Sequence, residues 1–566
     1  MAIVNYLGLA DMSELMAYTA ADSVFFVSAT EIRIGSPTSY DRYIGTGITV
    51  VNGVVTAGTI TAFEGAIEGG QVRDLQILQL NLSAATVYGL LASRSGAELK
   101  SLALAGFDSI TGRNGADLLY GYGGNDMFNA GLGADTMVGG AGSDSYTVMD
   151  AGDRVVETDA ALATGGSDTV YSLLASYTLP SNVENGWIFS VGTAGMTGNG
   201  LANLIVAGRG NNRIDGGAGS DTVRYDEVDD QGVTVRLDTE AAQATGSSGT
   251  DTLISIENLV GTPNADRLTG NAGANRLEGG AGNDTLDGLA GVDRMVGGDG
   301  NDQYQVRNAG DLVIEAAGQG TGTDTVISSV YSYTLAANVE VGRIAGAADI
   351  HLTGNAGANR LYSGAGSNII DGGAGTDVVD YSFATAGVRV NLGRTTMQNT
   401  WGSGADTLIR IEGVRGSAYS DNLVGNGGAN TLQGQGGDDV LAGGRGNDIL
   451  SGGSGLDHFR FTTLPDPVSN VDRITDWSSP ADTIELDNAV FTAILSDGAL
   501  PAAAFRVWTA TDRTLDSTDR VIFDSFGGGL YYDADGSGFD AVLLKIAQLD
   551  WVAVPPTMTA ADITII

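Results

Sequence analysis

Hydrophobic side chains recur every nine positions along residues 107–148. Each follows an aspartate by two residues, and glycines cluster just before that aspartate. The hydrophobic positions are Ile110, Leu119, Phe128, Met137 and Tyr146, and the aspartates are Asp108, Asp117, Asp126, Asp135 and Asp144. A fixed period of this kind marks a repeat unit. It predicts short strands that stack and bury one hydrophobic stripe.

The same period returns in several later blocks of the chain. Aspartates occupy its acid position at Asp221, Asp266, Asp284, Asp293, Asp302, Asp377, Asp421, Asp439, Asp448 and Asp457. Asparagines occupy the same position at Asn203, Asn212, Asn275, Asn359, Asn368 and Asn430. The pattern therefore covers most of the chain after residue 106.

A longer repeat overlies the short one. The segment GSDTVYSLLASYTLPSNVE at 166–184 recurs as GTDTVISSVYSYTLAANVE at 322–340, and Asp168 and Asp324 are 156 residues apart. The shared words SYTL and NVE contain no glycine, so a glycine-rich background does not explain them. We interpret this as a tandem duplication of one module.

The two ends of the chain lack the nine-residue period. Residues 1–105 contain strand-like runs, and Asn52-Gly53 between apolar runs predicts a hairpin. The predicted domains are a β-rich cap that serves anchoring or assembly (1–105), a first roll (106–149), module copies one (150–288) and two (289–457), and a C-terminal β domain (458–566).

Composition narrows the classes of partner. The 68 acids and 28 bases give a formal charge of −40, which argues against nucleic acid because that partner needs a basic surface. The chain has no cysteine, so disulfides and thiolate metal sites are excluded. The first residues lack the basic segment of a Sec signal peptide, so we expect any export to use another route.

Glycine-rich turns followed by an aspartate favour binding of a hard cation. Glycine backbones turn carbonyl oxygens inward and the aspartate adds a carboxylate. A coordination shell made of many oxygen ligands is typical of Ca²⁺ rather than of zinc or copper. We predict several calcium ions, with all fifteen aspartates named above at the acid position as ligands.

The unit GGAGSDSYT at 139–147 resembles the RTX (repeats-in-toxin) calcium-binding nonapeptide G-G-x-G-x-D-x-U-x. The resemblance implies an all-β fold, a parallel β-roll in which two nonapeptides form one turn and calcium lies between turns. It implies that aspartates eighteen apart share an ion, as in Asp108 with Asp126, Asp117 with Asp135, Asp126 with Asp144, Asp284 with Asp302, and Asp439 with Asp457. Turns with asparagine either bind calcium more weakly or are ion-free.

The last hundred residues are similar to the C-terminal region of RTX proteins exported by type I secretion. The segments DRVIFDSFGGGLYYDADGSG and AADITII carry this similarity. It implies a secreted protein at the surface of a Gram-negative bacterium, with the type I channel as a partner.

Motifs for common secreted enzymes are absent from the sequence. Neither HExxH nor GxSxG occurs, and the two histidines, His351 and His458, lie within repeat units. We therefore expect a non-enzymatic protein that self-associates into a surface layer or filament. Alternatives are an adhesin that binds cell-surface polysaccharide, and a polysaccharide-acting enzyme with an unrecognised site.

Overall fold

The computed structural model describes most of the chain after residue 105. The described residues are 2–6, 23–27, 31–36, 39–51, 54–68, 71–72, 75–83, 106–112, 114–158, 165–226, 231–246, 248–315, 322–494, 496–536, 543–550 and 556–566. As far as residue 83 the description covers the backbone. The chain divides into two compact units, Met1–Gly280 and Ala281–Ile566.

Antiparallel strands make up the described N-terminal part. They are β1 (Ala2–Tyr6), β2 (Ser23–Val27), β3 (Glu31–Ser36), β4 (Ser39–Val51), β5 (Val54–Glu68), β6 (Gln71–Val72) and β7 (Leu75–Ser83). Strands β4 and β5 pair antiparallel with Val51 opposite Val54, which confirms the predicted hairpin. Strand β1 pairs antiparallel with β7 and parallel with Asp108–Thr111, so the cap joins the first roll directly.

Short strands follow at nearly every nonapeptide. As far as residue 281 they are β8 (Asp108–Thr111), β9 (Leu118–Gly123), β10 (Met127–Asn129), β11 (Thr136–Ala141), β12 (Ser145–Val148), β13 (Arg154–Val156), β14 (Thr169–Ser172), β15 (Tyr177–Thr178), β16 (Asn185–Ile188), β17 (Ala194–Thr197), β18 (Leu204–Val206), β19 (Asn212–Asp215), β20 (Thr222–Arg224), β21 (Thr234–Arg236), β22 (Gln243–Gly246), β23 (Gly249–Ile254), β24 (Asn258–Val260), β25 (Arg267–Thr269) and β26 (Arg276–Ala281).

The later strands have similar lengths. They are β27 (Thr285–Asp287), β28 (Arg294–Asp299), β29 (Gln303–Val306), β30 (Leu312–Ile314), β31 (Thr325–Ser328), β32 (Ser332–Thr334), β33 (Val341–Ile344), β34 (His351–Thr353), β35 (Arg360–Tyr362), β36 (Ile369–Asp371), β37 (Val378–Asp380), β38 (Arg389–Asn391), β39 (Gln398–Trp401), β40 (Gly404–Ile409), β41 (Gly413–Arg415), β42 (Asn422–Val424), β43 (Thr431–Gly436), β44 (Val440–Ala442), β45 (Ile449–Ser454), β46 (His458–Phe461), β47 (Asp472–Ile474), β48 (Thr483–Leu486), β49 (Gly498–Ala499), β50 (Phe505–Trp508), β51 (Val521–Asp524), β52 (Gly529–Tyr532), β53 (Leu544–Leu549) and β54 (Ile563–Ile565). Single 3-10 turns occur at Ala502–Ala504 and Ala560–Asp562.

Parallel pairing in the first unit follows an eighteen-residue register. Phe128 in β10 lies opposite Ile110 in β8 on one side and Tyr146 in β12 on the other. On the opposite wall, Met137 in β11 lies opposite Leu119 in β9. Two nonapeptides therefore form one turn, and the predicted all-β parallel roll is confirmed.

The hydrophobic stripe predicted from the period is buried. Ile110, Leu119, Phe128, Met137 and Tyr146 have no solvent exposure. The rings of Phe128 and Tyr146 stack with centroids 5.0 Å apart, one turn above the other. Alternation within each short strand places one side chain inside the roll and its neighbours outside.

Close stacking of turns explains why glycine precedes each aspartate. Gly142 has φ +120°, and a Cβ there would collide with the backbone of Gly124 in the preceding turn. Other residues rarely adopt this conformation, so glycine is required on both grounds.

The second unit has the same internal organisation. Parallel pairs join β31 to β33, β33 to β35 and β35 to β37, as β14 joins β16 and β16 joins β18 in the first unit. Each unit also carries an antiparallel hairpin, β22–β23 and β39–β40. Asn182 and Asn338, which are 156 residues apart, have φ of 68° and 63°. The two segments recognised as a sequence duplication thus share a backbone path.

The parallel ladder continues past residue 458 in the second unit. Strand β46 pairs parallel with β44 and β48, and β48 pairs parallel with β54. Strands β51, β52 and β53 form an antiparallel meander whose last strand pairs parallel with β47. The C-terminal part is therefore a continuation of the roll capped by a small meander, and the domain limits proposed from sequence stay predictions.

Among the described residues, none belongs to a helix of the length and apolar character required to span a membrane.

Candidate calcium sites

Carboxylates stack in ladders along the turns. The backbone N–H of Asp108 donates to Asp126 Oδ1 at 2.8 Å, and that of Asp126 donates to Asp144 Oδ1 at 2.7 Å. A second ladder joins Asp117 N–H to Asp135 Oδ1 at 2.8 Å. One oxygen of each aspartate thereby fixes the register of the preceding turn.

All fifteen predicted ligand residues are buried, with side chains at most 5% exposed. The five predicted pairs lie in neighbouring turns. Besides the three above, Asp284 N–H donates to Asp302 Oδ1 and Asp439 N–H to Asp457 Oδ1. Asp221, Asp377 and Asp448 accept instead from the backbones of asparagines one turn earlier, Asn203, Asn359 and Asn430. Asp293 donates its N–H to Asp311, which lies outside the predicted set.

The second carboxylate oxygen lies in a different environment. Among the described residues, Oδ2 is buried and accepts no hydrogen bond in Asp126, Asp135, Asp221, Asp302, Asp439 and Asp448. A buried anionic oxygen without a partner is costly unless a cation compensates it. These atoms identify where the fold requires positive charge.

Main-chain oxygens converge on the same points. A Cβ at Gly121 would collide with Asp126 Oδ2 and would lie 2.7 Å from the carbonyl oxygen of Gly139 in the next turn. The space above Gly434 is bounded in the same way by Asp439 Oδ2 and Gly452 O, the latter 2.5 Å from such a Cβ. Carboxylate and carbonyl oxygens from adjacent turns are the donor set that Ca²⁺ uses, so the residues fit this ion. When bound, calcium would supply the charge that neutralises the carboxylates.

Burial without a cation raises the pKa of these acids. Desolvation, with smaller contributions from Asp144 and Asp108, raises the pKa of Asp126 to about 8. Burial beside Asp421 and Asp457 raises the pKa of Asp439 to about 8. Desolvation raises the pKa of Asp221 and Asp448 to about 6. Without a cation, Asp126 and Asp439 therefore tend to hold a proton at neutral pH, and ionising them in the folded chain costs free energy.

Two predicted ligands have additional hydrogen-bond donors. Asp421 Oδ2 accepts from Ser417 N–H, and its Oδ1 accepts from Val388 N–H and the Ser417 hydroxyl. Asp266 accepts equivalent bonds from Thr262 and Val233. These two carboxylates depend less on a cation than those whose second oxygen has no donor.

In the asparagine-containing turns, the asparagine side-chain amides donate hydrogen bonds to nearby main-chain carbonyl oxygens. Asn203 Nδ2 donates to the carbonyl oxygens of Val183 and Glu184, and Asn368 Nδ2 donates to those of Gly364 and Gly366. The amide thus bonds carbonyl groups directly and adds no negative charge. Of the two interpretations left open by the sequence, this geometry supports ion-free turns.

Comparison with known families agrees with this geometry. The model of the RTX calcium-binding nonapeptide repeat (4 copies) matches residues 102–137, 111–146, 197–231, 269–304, 351–381, 415–450 and 424–459. These are the segments that form the glycine–aspartate turns. The chain therefore contains RTX calcium-binding nonapeptide repeats in several copies. A search of curated proteins found no match.

RTX nonapeptide repeats bind calcium ions in the turns of the β-roll. The chain is therefore a calcium-binding protein, and RTX repeats typically mark secreted proteins. The oxygens of the carboxylate ladders are the candidate ligands for such ions in this chain.

Sequence reasoning missed acids at the ends of the ladders. Asp144 N–H donates to Asp168 Oδ1, and Asp302 N–H donates to Asp324 Oδ1, both at 2.8 Å. Glu157 and Glu315 lie close to these acids. A visible signal was available, because each glutamate lies eighteen residues after a turn glycine, Gly139 or Gly297, in both copies of the module.

Proposed function

We propose that this RTX chain is a secreted, non-enzymatic structural protein that folds outside the cell when it binds calcium and then self-associates into a surface layer or filament. The observation that carries the proposal is the set of buried Oδ2 atoms without hydrogen-bond donors. A fold that needs many cations to neutralise its interior is stable where calcium is plentiful.

Calcium concentration differs between the inside and the outside of a cell, and this difference can control where the chain folds. Inside cells calcium is far below the roughly 10⁻³ M at which extracellular calcium modules operate. There the repelling carboxylates and glycine-rich turns oppose folding. An unfolded chain fits a narrow type I channel, and folding outside prevents return.

An exposed strand edge supports self-association. Strand β50 pairs with β51 on one side, and no described strand pairs with its other side. An unpaired edge offers backbone donors and acceptors to a further strand. Val507, near the middle of β50, is 36% exposed. A second copy of the chain is a suitable partner for this edge.

The test is particle size with and without calcium, by electron microscopy and light scattering on the full chain. We expect assemblies at millimolar calcium that dissolve in chelator. The variant Val507→Lys should weaken assembly because charge blunts an edge strand. Val468→Lys, at a site 82% exposed, is the matched control. Monomers at high protein and calcium concentrations would exclude the assembly proposal.

The histidines lie in contacts that support structural roles. His458 Nδ1 lies 2.8 Å from Glu485 Oε1, and Arg460 Nε donates to Oε2 of the same carboxylate at 2.6 Å. The His351 ring stacks on Tyr331 with centroids 5.0 Å apart. These contacts favour the non-enzymatic interpretation.

A second candidate function, glycan binding, is favoured by one aromatic surface. Tyr171 and Trp187 lie opposite each other on β14 and β16 with ring centroids 5.5 Å apart. Phe189, 55% exposed, lies 5.8 Å from Trp187. Such rows can stack on sugars. Glycan-array binding lost in Trp187→Ala but retained in Trp401→Ala would support this function, and an array without hits would exclude it.

A further inference from the structure

The spacing along the carboxylate ladder widens at two equivalent places, after Asp144 and after Asp302. Within the first roll, bonded acids are eighteen residues apart. From Asp144 to Asp168 the spacing is 24, and from Asp302 to Asp324 it is 22. The next acid still accepts the backbone N–H of the last one, so the ladder continues across the longer spacing.

A glutamate enters the ladder at each of these places. In a regular turn, the space above Gly121 is bounded by Asp126 Oδ2 and the carbonyl of Gly139, eighteen residues later. Residue 157 has the corresponding position relative to Gly139. There the Tyr146 hydroxyl, Asp144 Oδ2 and Glu157 Oε1 bound the space, and all three would collide with a Cβ at Gly139. A side-chain carboxylate thus replaces a main-chain carbonyl.

The resulting acid cluster is buried and incompletely bonded. One carboxylate oxygen from each of Asp144, Glu157 and Asp168 lies within 4.8 Å of the others. Glu157 is 7% exposed, and its Oε1 accepts from the Tyr146 hydroxyl. Its Oε2 is buried and accepts no hydrogen bond. Three carboxylates at this spacing repel one another unless a cation lies among them.

The second copy of the module repeats the cluster residue by residue. Oxygens of Asp302, Glu315 and Asp324 lie within 4.8 Å of one another. The Tyr304 hydroxyl donates to Glu315 Oε1, as Tyr146 does to Glu157. Asp302 is 1% exposed, and its Oδ2 accepts no hydrogen bond. The same arrangement therefore occurs in both units.

We propose that Asp144, Glu157 and Asp168 bind one divalent cation with the chemistry of Ca²⁺, and that Asp302, Glu315 and Asp324 bind another. The family matches that reach these turns end at residues 146 and 304, so in each cluster the glutamate and the second aspartate lie outside the nonapeptides. Three carboxylates give these sites more negative charge than a regular turn, and higher charge raises calcium affinity. They anchor the junction where the regular repeat stops in each module.

An ion-free alternative is a neutral glutamic acid bonded to tyrosine. Burial, with contributions from Asp168 and Asp144, raises the pKa of Glu157 to about 9, so a proton can replace the cation when calcium is absent. The two interpretations differ in the number of ions bound by the folded protein.

The test counts bound calcium on the full chain by flow dialysis at pH 7.5. We expect Glu157→Gln and Glu315→Gln each to bind one ion fewer than the unmodified chain, and the double variant two fewer. Glu278→Gln is the control, since Glu278 pairs with Arg276 at the surface. An unchanged ion count in a double variant with normal circular dichroism would overturn the proposal.

If the glutamine variants do not fold, terbium luminescence tests whether an ion binds at the two proposed sites. Tb³⁺ replaces Ca²⁺ in oxygen-ligand sites and is excited through nearby tyrosine. The variant Tyr146→Phe/Tyr304→Phe keeps both rings and should retain the calcium count while it loses a large part of the tyrosine-excited emission. Emission equal to that of the unmodified chain would show that no ion lies beside these tyrosines.

Discussion

At the scale of single residues, the two carboxylate oxygens of a ladder aspartate can have different roles. Asp126 uses Oδ1 to accept the backbone N–H of Asp108, and its Oδ2 is left for a cation. Asp251 shows the contrast, because its Oδ1 accepts Asn212 N–H while its Oδ2 accepts from the hydroxyls of Thr245 and Tyr225. A buried carboxylate is thus a stronger candidate for a calcium ligand where one of its oxygens has no hydroxyl or backbone donor.

Replacing Asp126 with asparagine should weaken calcium binding without removing the register bond. One charged ligand interaction is worth about 1.5–3 kcal/mol, which corresponds to a rise of about tenfold or more in the calcium midpoint. A calcium titration followed by circular dichroism measures this midpoint. Asp238→Asn, on an exposed acid paired with Arg236, should leave it unchanged. Equal midpoints for both variants would contradict the assignment of Asp126.

Acid should partly replace calcium. In the ion-free fold the pKa of Asp126 and Asp439 is about 8, above the ordinary value of 3.8 expected in the unfolded chain. As pH falls, the folded chain therefore binds protons at a higher pH than the unfolded chain does. This protonation stabilises the ion-free fold, and the stabilisation is lost as pH rises through about 8. In calcium-depleted buffer, we expect β circular dichroism to increase as pH falls from 8 to 6.

The control for this measurement is the same pH series at saturating calcium. Both the calcium-bound fold and the unfolded chain keep these carboxylates ionised in that range, so the signal should stay constant. A calcium-free signal that is flat or decreases on acidification would contradict the burial of unneutralised carboxylates.

At the scale of strands and turns, the nine-residue period determined most of what could be predicted. It placed Phe128 and Tyr146 in the core. The resemblance to RTX repeats, in which two units form one turn, added the expectation that aspartates eighteen apart lie in contact. The period could not place Glu157 or Asp168, because neither residue stands at the acid position of the nine-residue unit. Their proximity to Asp144 is visible only in the folded structure. The sequence likewise left open whether the asparagine turns bind calcium, because the answer depends on which groups the side-chain Nδ2 contacts.

The glycine beneath each carboxylate gives a sharp prediction at this scale. Gly121→Ala would place a Cβ against Asp126 Oδ2 and 3.1 Å from the Phe128 ring. Overpacking of this kind costs about 1–3 kcal/mol. The calcium midpoint for folding should rise accordingly. Gly200→Ala, where a Cβ has no neighbour within 4 Å, is the matched control, with an effect within about 0.5 kcal/mol. Equal effects at both positions would argue against a filled site above Gly121.

At the scale of the whole molecule, we propose that calcium is part of the folding free energy rather than a ligand of an already folded chain. The formal charge of −40 reflects many acids that the roll buries, and each bound ion removes local repulsion. The duplicated module repeats this dependence in both compact units. The buried hydrophobic stripe provides the core of the roll, and on this proposal calcium binding determines whether the folded state is populated.

The most direct test of this account is far-ultraviolet circular dichroism of the full chain at pH 7.5, recorded in chelator and then at millimolar calcium. The account predicts a mainly unfolded spectrum in chelator, a steep cooperative gain of β signal with calcium, and full reversal when chelator is restored. A β spectrum of equal strength in chelator and in calcium would contradict it.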